Sequence, residues 1–182
     1  MPAARAAVSV PAMTTDNQDE LLVVVDAHDR VIGAAPRCVI HREGLLHRAV
    51  HVLVFDSDGL LLLQQRSSTK DTYPLHWECV GGHVAPGESY EQTAQREVVE
   101  ELGIESGPVE FLTKHGASEA TGREFIAVFR TTVSGTIQPN PDEVLRVEPL
   151  QMAQVRAMAE TGARPFSPAF IQTLHALVPL GF

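Results

Sequence analysis

The sequence predicts an α/β (α+β) fold in which a mixed sheet lies between helices, as an α/β/α sandwich. Three observations support this prediction. Short β-rich runs outnumber helical segments, the two kinds are intermixed along the chain, and turn-forming residues separate them. A chain of 182 residues is long enough for one domain with its own core.

The predicted strands are short runs rich in Val, Leu and Phe. They span residues 21–25, 31–35, 50–55, 60–65, 109–113, 125–133 and 144–147. The third and fourth are joined by Asp56-Ser57-Asp58-Gly59, a typical hairpin connection. A further extended run, residues 77–80, is expected to end at a Gly81-Gly82 break.

Helices are predicted where turn and capping residues enclose longer segments. Residues 37–42 form a short helix or a loop closed by Gly44. Ser89 is expected to cap a helix that runs to about Leu102 and stops at Gly103. Residues 150–160 and 167–177 complete the predicted helices.

The N-terminal residues do not fit the domain pattern. Residues 1–18 are expected to be a disordered tail before a domain of residues 19–182, and Met13 is an alternative start. They lack the charged and apolar regions of a secretory signal, and no apolar run reaches the roughly 18 residues that span a bilayer. Only Cys38 and Cys79 occur, without metal-ligand spacing, which favours a reduced, cytoplasmic setting.

The charge balance restricts the class of partner. The formal net charge is −9, with 23 acidic against 14 basic residues. Nucleic acids and anionic membranes attract basic surfaces, so neither is an expected partner. A small phosphorylated ligand remains compatible, because acidic side chains can recruit a cation that then binds phosphate.

The helix that begins after Ser89 has an acidic face. Glu97, Glu100 and Glu101 stand at positions i, i+3 and i+4, which places them in one sector of roughly 100°. Such like charges repel unless a cation lies between them, and carboxylate oxygens are ligands that Mg²⁺ prefers. A plain solvated surface is the ordinary alternative for an acidic helix face.

The surrounding residues resemble a known motif. Gly82, five residues, Glu88, seven residues, Arg96-Glu97-Val98, one residue, Glu100-Glu101, one residue and Gly103-Ile104 together resemble the complete Nudix box. The resemblance implies an α/β/α sandwich that hydrolyses a nucleoside diphosphate linked to another group, or a related organic diphosphate. It also implies dependence on Mg²⁺ or Mn²⁺.

The resemblance assigns roles to individual residues. Glu97 and Glu101 are the expected metal ligands, assisted by Glu100 and by the carbonyl of Gly81, and Glu88 and Arg96 form a structural pair. The expected catalytic set is Glu100, Glu101 and Glu143. The general base is not fixed within the family and comes from the box or from a later loop, where Glu143 is the preferred candidate and Glu124 the second choice. The expected substrate-binding residues are Arg66, His83 and Glu124.

The flanks of the motif are similar to one branch of the superfamily, isopentenyl-diphosphate isomerase. The similarity rests on residues 46–50 (LHRAV), Gln64-Gln65-Arg66, Pro74, Trp77, Gly82-His83 and Phe166-Ser167-Pro168. The isomerase has a catalytic cysteine immediately before its Gly-His pair, where this chain has Gly81, and its Nudix box is degraded, whereas this one is intact. Both departures favour hydrolysis over isomerisation.

Several alternatives stay open at this stage. His41, His47 and His83 match the isomerase's metal-binding histidines, although the spacing from His41 to His47 is one residue short. These histidines could instead bond within loops or contact substrate. The substrate could be a nucleoside di- or triphosphate, a nucleotide sugar or a prenyl diphosphate. A catalytically silent, nucleotide-sensing domain is the third functional hypothesis, and a homodimer is a possible assembly.

Overall fold

A nine-stranded mixed sheet forms the centre of the molecule. The structure is a computed structural model and describes residues 14–182. The strands are β1 (Leu21–Val25), β2 (Val31–Pro36), β3 (His47–Phe55), β4 (Leu61–Arg66), β5 (Trp77–Glu78), β6 (Val80–His83), β7 (Glu110–His115), β8 (Glu124–Thr132) and β9 (Val144–Leu150). The helices are α1 (Arg37–Glu43), α2 (Tyr90–Leu102), α3 (Met152–Thr161) and α4 (Pro168–Leu177).

Strand β3 is the central strand of this sheet. It pairs in parallel with β8 over its whole length and in antiparallel fashion with β6, where His51 is opposite Gly81. It also contacts β1 and β4, and β4 continues the sheet to β5 and β9. The predicted mixed sheet is therefore confirmed, and its parallel pair joins segments that lie far apart in the sequence.

Helices cover both faces of the sheet. Alternate residues of β3 enter two different apolar clusters, as the two-residue period of a strand requires. Val50 and Val52 pack with α2 residues such as Val98, whereas Ala49 and Leu53 pack with α4 residues such as Phe170, Leu174 and Leu177. This arrangement is the predicted α/β/α sandwich.

Helix α2 is fixed at both ends by local contacts. The Ser89 side chain accepts a hydrogen bond from the backbone of Gln92, whose side chain accepts one from the Ser89 backbone, and this forms a capping box. Gly103 ends the helix with φ 62°, a conformation that glycine adopts without strain. The start and end of α2, and with them the positions of its acidic residues, are therefore set by contacts local to the helix.

The structure corrects the expected break at Gly81-Gly82. Both glycines belong to β6 and pair with β3, at His51 and Val50. Glycine weakens isolated strands, but here the backbone pairing persists and the missing side chains leave room for close neighbours. Strand β3 also begins earlier than predicted, and β9 extends to Leu150.

The last residues of the predicted tail pack on the domain. Residues 1–13 of the predicted tail lie outside the described residues. Within residues 14–18, Asp16 is buried, forms an ion pair with Lys70 and accepts a hydrogen bond from the backbone of Asp71. The long-range pairing with the loop after β4 explains why local composition did not indicate this order. No described helix is long and apolar enough to cross a membrane.

Candidate functional site

All of the predicted site residues except Glu88 line one cleft of about 810 Å³. Its lining includes the acidic residues of α2 and Gly81 and Gly82 of β6. Arg66, His83, Glu124 and Glu143 line it as well, although they come from four separate segments. A larger groove of about 1010 Å³, beside Phe55 and Met152, contains none of the predicted site residues.

The acidic face of α2 divides into a buried pair and a rim residue. Glu97 and Glu101 are only 8% and 5% exposed, whereas the Glu100 side chain is 52% exposed. Gly82 makes the approach of Glu97 possible, because a Cβ at that position would lie 2.0 Å from Glu97 Oε1. The helix therefore directs two carboxylates, rather than three, against the strand.

Two donors hold Glu101 in place. Its Oε2 accepts a hydrogen bond of 2.7 Å from Gln64 Nε2 and one of 3.3 Å from the backbone N–H of Gly81. Gln64 is itself buried in β4. The carboxylate is thus fixed between two strands, with its orientation set before any ligand binds.

The buried carboxylates fit a divalent cation. Burial raises the pKa of Glu97 to about 8, with Arg96 opposing this shift and Glu100 adding to it. Burial, followed by the neighbouring Glu97, also raises the pKa of Glu101. Two carboxylates that resist ionisation together in a protein cleft are a donor set for a hard cation such as Mg²⁺ or Mn²⁺.

Arg96 connects the acidic helix to the preceding loop. It donates to Glu88 at 2.9 and 3.0 Å, to Glu97 and Glu100 at 2.8 Å each, and to the carbonyl of His83 at 3.1 Å. The pairing of Arg96 with Glu88 is the one that the motif predicted. The single guanidinium also offsets part of the repulsion on this face of α2.

Basic residues complete the charge pattern of the cleft. Arg66 forms an ion pair with Glu78, and Lys70 bridges Asp16 and Glu143. The structure thus brings Glu143 to the cleft wall, attached to a lysine that the sequence did not single out. Lys70 lies in the polar loop after β4, and its partners are 54 and 73 positions away, so local sequence gave no signal for it.

Three histidines form a second cluster at the edge of the same cleft. The candidate ligand atoms of His41, His47 and His83 lie within 4.8 Å of one another. Glu124 Oε1 lies 3.1 Å from His83 Nε2 and 3.4 Å from His47 Nε2. Burial lowers the pKa of His83 to about 4, against the opposing effect of Glu124, so this imidazole is neutral at pH 7.

The cluster is suited to a metal by one further feature. His47 Nε2 is buried and makes no hydrogen bond to the described residues, although the carboxylate of Glu124 is near. A buried nitrogen without a partner costs free energy unless a ligand satisfies it. The shortened spacing between His41 and His47 does not prevent the three rings from meeting.

The cysteines stand apart from this chemistry. Cys79 is fully buried in the apolar cluster beside α4, and burial raises the pKa of its thiol well above the ordinary value. Neither Cys79 nor Cys38 lines the cleft. The lining of the cleft therefore presents carboxylates, imidazoles and cations, without a thiol.

Comparison with known proteins supports the same family. A sequence profile of the NUDIX domain matches residues 45–170. The isopentenyl-diphosphate Delta-isomerase of Nocardia farcinica is 39% identical over 159 residues, 84% of this chain and 91% of that protein. An uncharacterized Nudix hydrolase of Streptomyces coelicolor is 40% identical over 129 residues, 69% of this chain and 71% of that protein.

Solved structures share the fold at lower identity. A crystal structure of a Deinococcus radiodurans protein has a TM-score of 0.73 and 24% identity, covering 86% of this chain and 98% of that one. The NUDIX domain of Shewanella oneidensis NrtR, crystallised with ADP ribose, has a TM-score of 0.54 and 22% identity, covering 71% and 84%. With its matching sequence profile, its relatives and its fold, the chain belongs to the Nudix family.

Proposed function

We propose that this protein is a Mg²⁺- or Mn²⁺-dependent hydrolase of a nucleoside diphosphate derivative or a related organic diphosphate. The observation that carries the proposal is the buried pair Glu97 and Glu101, directed against Gly81 and Gly82 inside the cleft. Water attacks phosphorus and the diphosphate bond breaks. The intact acidic set argues against a purely sensing role, because a binding domain has no need of it.

The acidic cluster would hold the metal. Glu97, Glu101 and the Gly81 carbonyl are the proposed ligands, with Glu100 assisting from the rim. A divalent metal in this position supplies Lewis acidity and lowers the pKa of bound water. The part played by the protein is to fix Glu101 through Gln64 and the Gly81 backbone, and to hold Glu97 through Arg96.

The basic residues of the cleft would hold the phosphates. Arg66 is the proposed phosphate contact, and Lys70 adds a second cation on the same wall. Both are paired with carboxylates of the protein, so an incoming diphosphate exchanges one anionic partner for another. Glu143, which shares Lys70, is the proposed general base, and its release from the lysine would accompany binding.

His83 and Glu124 have two candidate roles within this proposal. As substrate-binding residues they would contact the group attached to the diphosphate at the edge of the cleft. As partners of His41 and His47 they would hold a second metal, which the unpartnered His47 Nε2 favours. Either role places His83 and Glu124 beside the substrate, because both line the cleft. His41 lines it as well, whereas His47 does not.

Isomerase activity is the second candidate function, because relatives such as the Nocardia farcinica protein carry that name. Moving an alkene bond requires a positioned acid that protonates carbon. The cleft lining has no thiol, and a side chain at position 81 would collide with the His51 ring. The geometry therefore favours hydrolysis over isomerisation.

A substrate panel tests the proposal. Nucleoside di- and triphosphates, nucleotide sugars, ADP ribose and prenyl diphosphates are incubated with Mg²⁺ or Mn²⁺, and released phosphate or mononucleotide is measured. We expect metal-dependent turnover of at least one compound, and a loss of about 10³-fold in Glu101→Gln, since a lost metal ligand removes several kcal/mol of transition-state stabilisation.

The matched control is Glu91→Gln, an exposed glutamate of the same helix that faces away from the cleft. It should retain full turnover. Equal activity of Glu101→Gln and Glu91→Gln would show that the acidic pair is not the catalytic centre. Conversion of isopentenyl diphosphate to its isomer, without phosphate release from any compound, would favour the second candidate.

A further inference from the structure

His51 begins a buried hydrogen-bonded chain that starts at the cleft wall. Its Nδ1 lies 2.6 Å from Thr173 Oγ1, and the same hydroxyl lies 3.0 Å from His115 Nε2. Thr173 is fully buried in α4, and His51 is buried in β3 while lining the cleft. No role in the acidic or imidazole clusters accounts for these three residues.

The Thr173 hydroxyl couples the tautomers of the two imidazoles. Thr173 has one hydrogen, so it can donate to only one of the two imidazoles and accepts from the other. One arrangement that satisfies both contacts has Thr173 donating to His51 Nδ1 across 2.6 Å and His115 Nε2 donating to Thr173 across 3.0 Å. A neutral His51 then carries its own hydrogen on Nε2.

The His51 ring lies in the space that the missing side chain of Gly81 leaves. A Cβ on Gly81 would lie 2.8 Å from His51 Cδ2 and 2.9 Å from the carbonyl oxygen of Val50. The backbone N–H of the same glycine donates to Glu101. One glycine therefore separates the imidazole from the carboxylate of the proposed metal site.

The donor of His51 has no competing partner on the protein. Among residues 14–182, no hydrogen bond involves His51 Nε2, although the charges of Glu78, Glu124 and Arg66 act on the ring. Arg66 and Glu78 are paired with each other.

We propose that His51 is a specificity-determining residue whose Nε2–H donates a hydrogen bond to an oxygen of the bound diphosphate. Thr173 and His115 are positioning residues that keep the hydrogen on Nε2. This inference rests on the proposed hydrolase function and adds a ligand contact from the α4 side of the sheet, opposite to the face on which α2 packs. A larger residue at position 81 would displace this contact.

A pair of amide variants separates the two ends of the ring. His51→Asn keeps a group near Nδ1 for Thr173 but removes the donor at the Nε2 position, whereas His51→Gln can place an amide N–H near that position. We expect His51→Asn to bind methylenediphosphonate with Mg²⁺ about 10-fold more weakly, and to raise KM rather than lower kcat. His51→Gln should recover most of the affinity in calorimetric titrations.

Thermal unfolding shows whether each variant is folded, and NMR reads the tautomer of His51 directly. Long-range ¹H–¹⁵N spectra of the wild-type protein should show His51 protonated on Nε2, and Thr173→Val should mix the two tautomers. Protonation on Nδ1, or equal binding by folded His51→Asn and wild type, would overturn the inference alone. Failure of the wild-type protein to bind methylenediphosphonate with Mg²⁺ would instead overturn the proposed function on which it rests.

Discussion

Gly81 and Gly82 are neighbours in β6, but a side chain at each position would point to an opposite face of the sheet. A Cβ on Gly82 would meet the Glu97 carboxylate, whereas a Cβ on Gly81 would meet the His51 ring and the Val50 carbonyl. Neither glycine has a positive φ, so a side chain at either position is excluded by lack of space rather than by backbone conformation. Gly82 makes room for the acidic pair, and Gly81 makes room for an imidazole.

Strand β6 therefore has a carboxylate against one face and an imidazole against the other. On the α2 side, absence of a side chain lets a buried carboxylate approach the backbone. On the α4 side, it lets His51 occupy the space in which the isomerase branch would place its cysteine. The presence of glycine at both positions therefore favours a metal-bound diphosphate over a thiol as the reactive centre.

The largest effect is expected from Gly82→Ala. The atom that would collide is the end of a flexible Glu97 side chain, so the fold should survive, but Glu97 must leave its present position. We expect activity to fall by about 10²- to 10³-fold as a metal ligand is displaced. Activity and Mg²⁺ affinity are measured together with thermal unfolding, and an active Gly82→Ala protein would contradict the placement of Glu97.

Gly81→Ala should reduce stability more than Gly82→Ala does, and activity less. The Val50 carbonyl is backbone and cannot easily move, so overpacking should destabilise the fold by about 1–3 kcal/mol. Chemical denaturation measures this loss, and Gly82→Ala is the matched control. Activity of the folded fraction should fall less than in Gly82→Ala. A stability loss confined to Gly82→Ala would contradict the assignment of the two faces.

Gln64→Leu tests how tightly the acidic face must be held. Leucine has a similar volume but cannot donate to Glu101, so the carboxylate loses its shorter hydrogen bond. Loss of such a partner to a metal ligand typically lowers activity or metal affinity by about 10- to 100-fold. Metal titration at constant substrate should show the larger part of the loss in metal affinity, and unchanged affinity would show that Gln64 has only a packing role.

The smallest expected effect is a pH-dependent shift in the melting temperature. Because the pKa of Glu97 is raised to about 8 in the folded protein, its contribution to stability is complete below the unfolded value of 4.5. That contribution is lost as the pH rises towards 8, so the metal-free protein should melt earlier at pH 8 than at pH 5.5.

Mg²⁺ should reverse this trend, because it binds the ionised carboxylates and competes with their protons. We expect the increase in Tm on adding Mg²⁺ to be larger at pH 8 than at pH 5.5. Glu97→Gln should remove the difference, whereas Glu91→Gln should keep it. An equal increase at both pH values in the wild-type protein would argue against metal binding at Glu97.

The sequence predicted the parts of the site that lie within one segment. The acidic positions of α2, its Ser89 cap and its stop at Gly103 depend on spacing along a single helix, and periodicity reveals them. The sandwich architecture followed from the same patterns. The roles of Glu97, Glu101 and Glu143 stay predictions, which the variants above address.

The contacts between segments could not be predicted in this way. The hydrogen bond of Gln64 to Glu101 and the contact of His51 with Thr173 join residues 37 and 122 positions apart. The Gly81-Gly82 pair was expected to end a strand because glycine is a poor strand former, but pairing with β3 outweighs that local preference. Strand register, rather than composition, decides these contacts.

The central claim is that water attacks phosphorus at the acidic pair. Turnover of the best compound from the diphosphate panel in H₂¹⁸O, followed by mass spectrometry, tests it most directly. The account predicts one ¹⁸O atom in a phosphate product, metal-dependent formation of that product, and its loss in Glu101→Gln. Products with ¹⁸O on carbon, or an isomerised substrate without ¹⁸O, would contradict it.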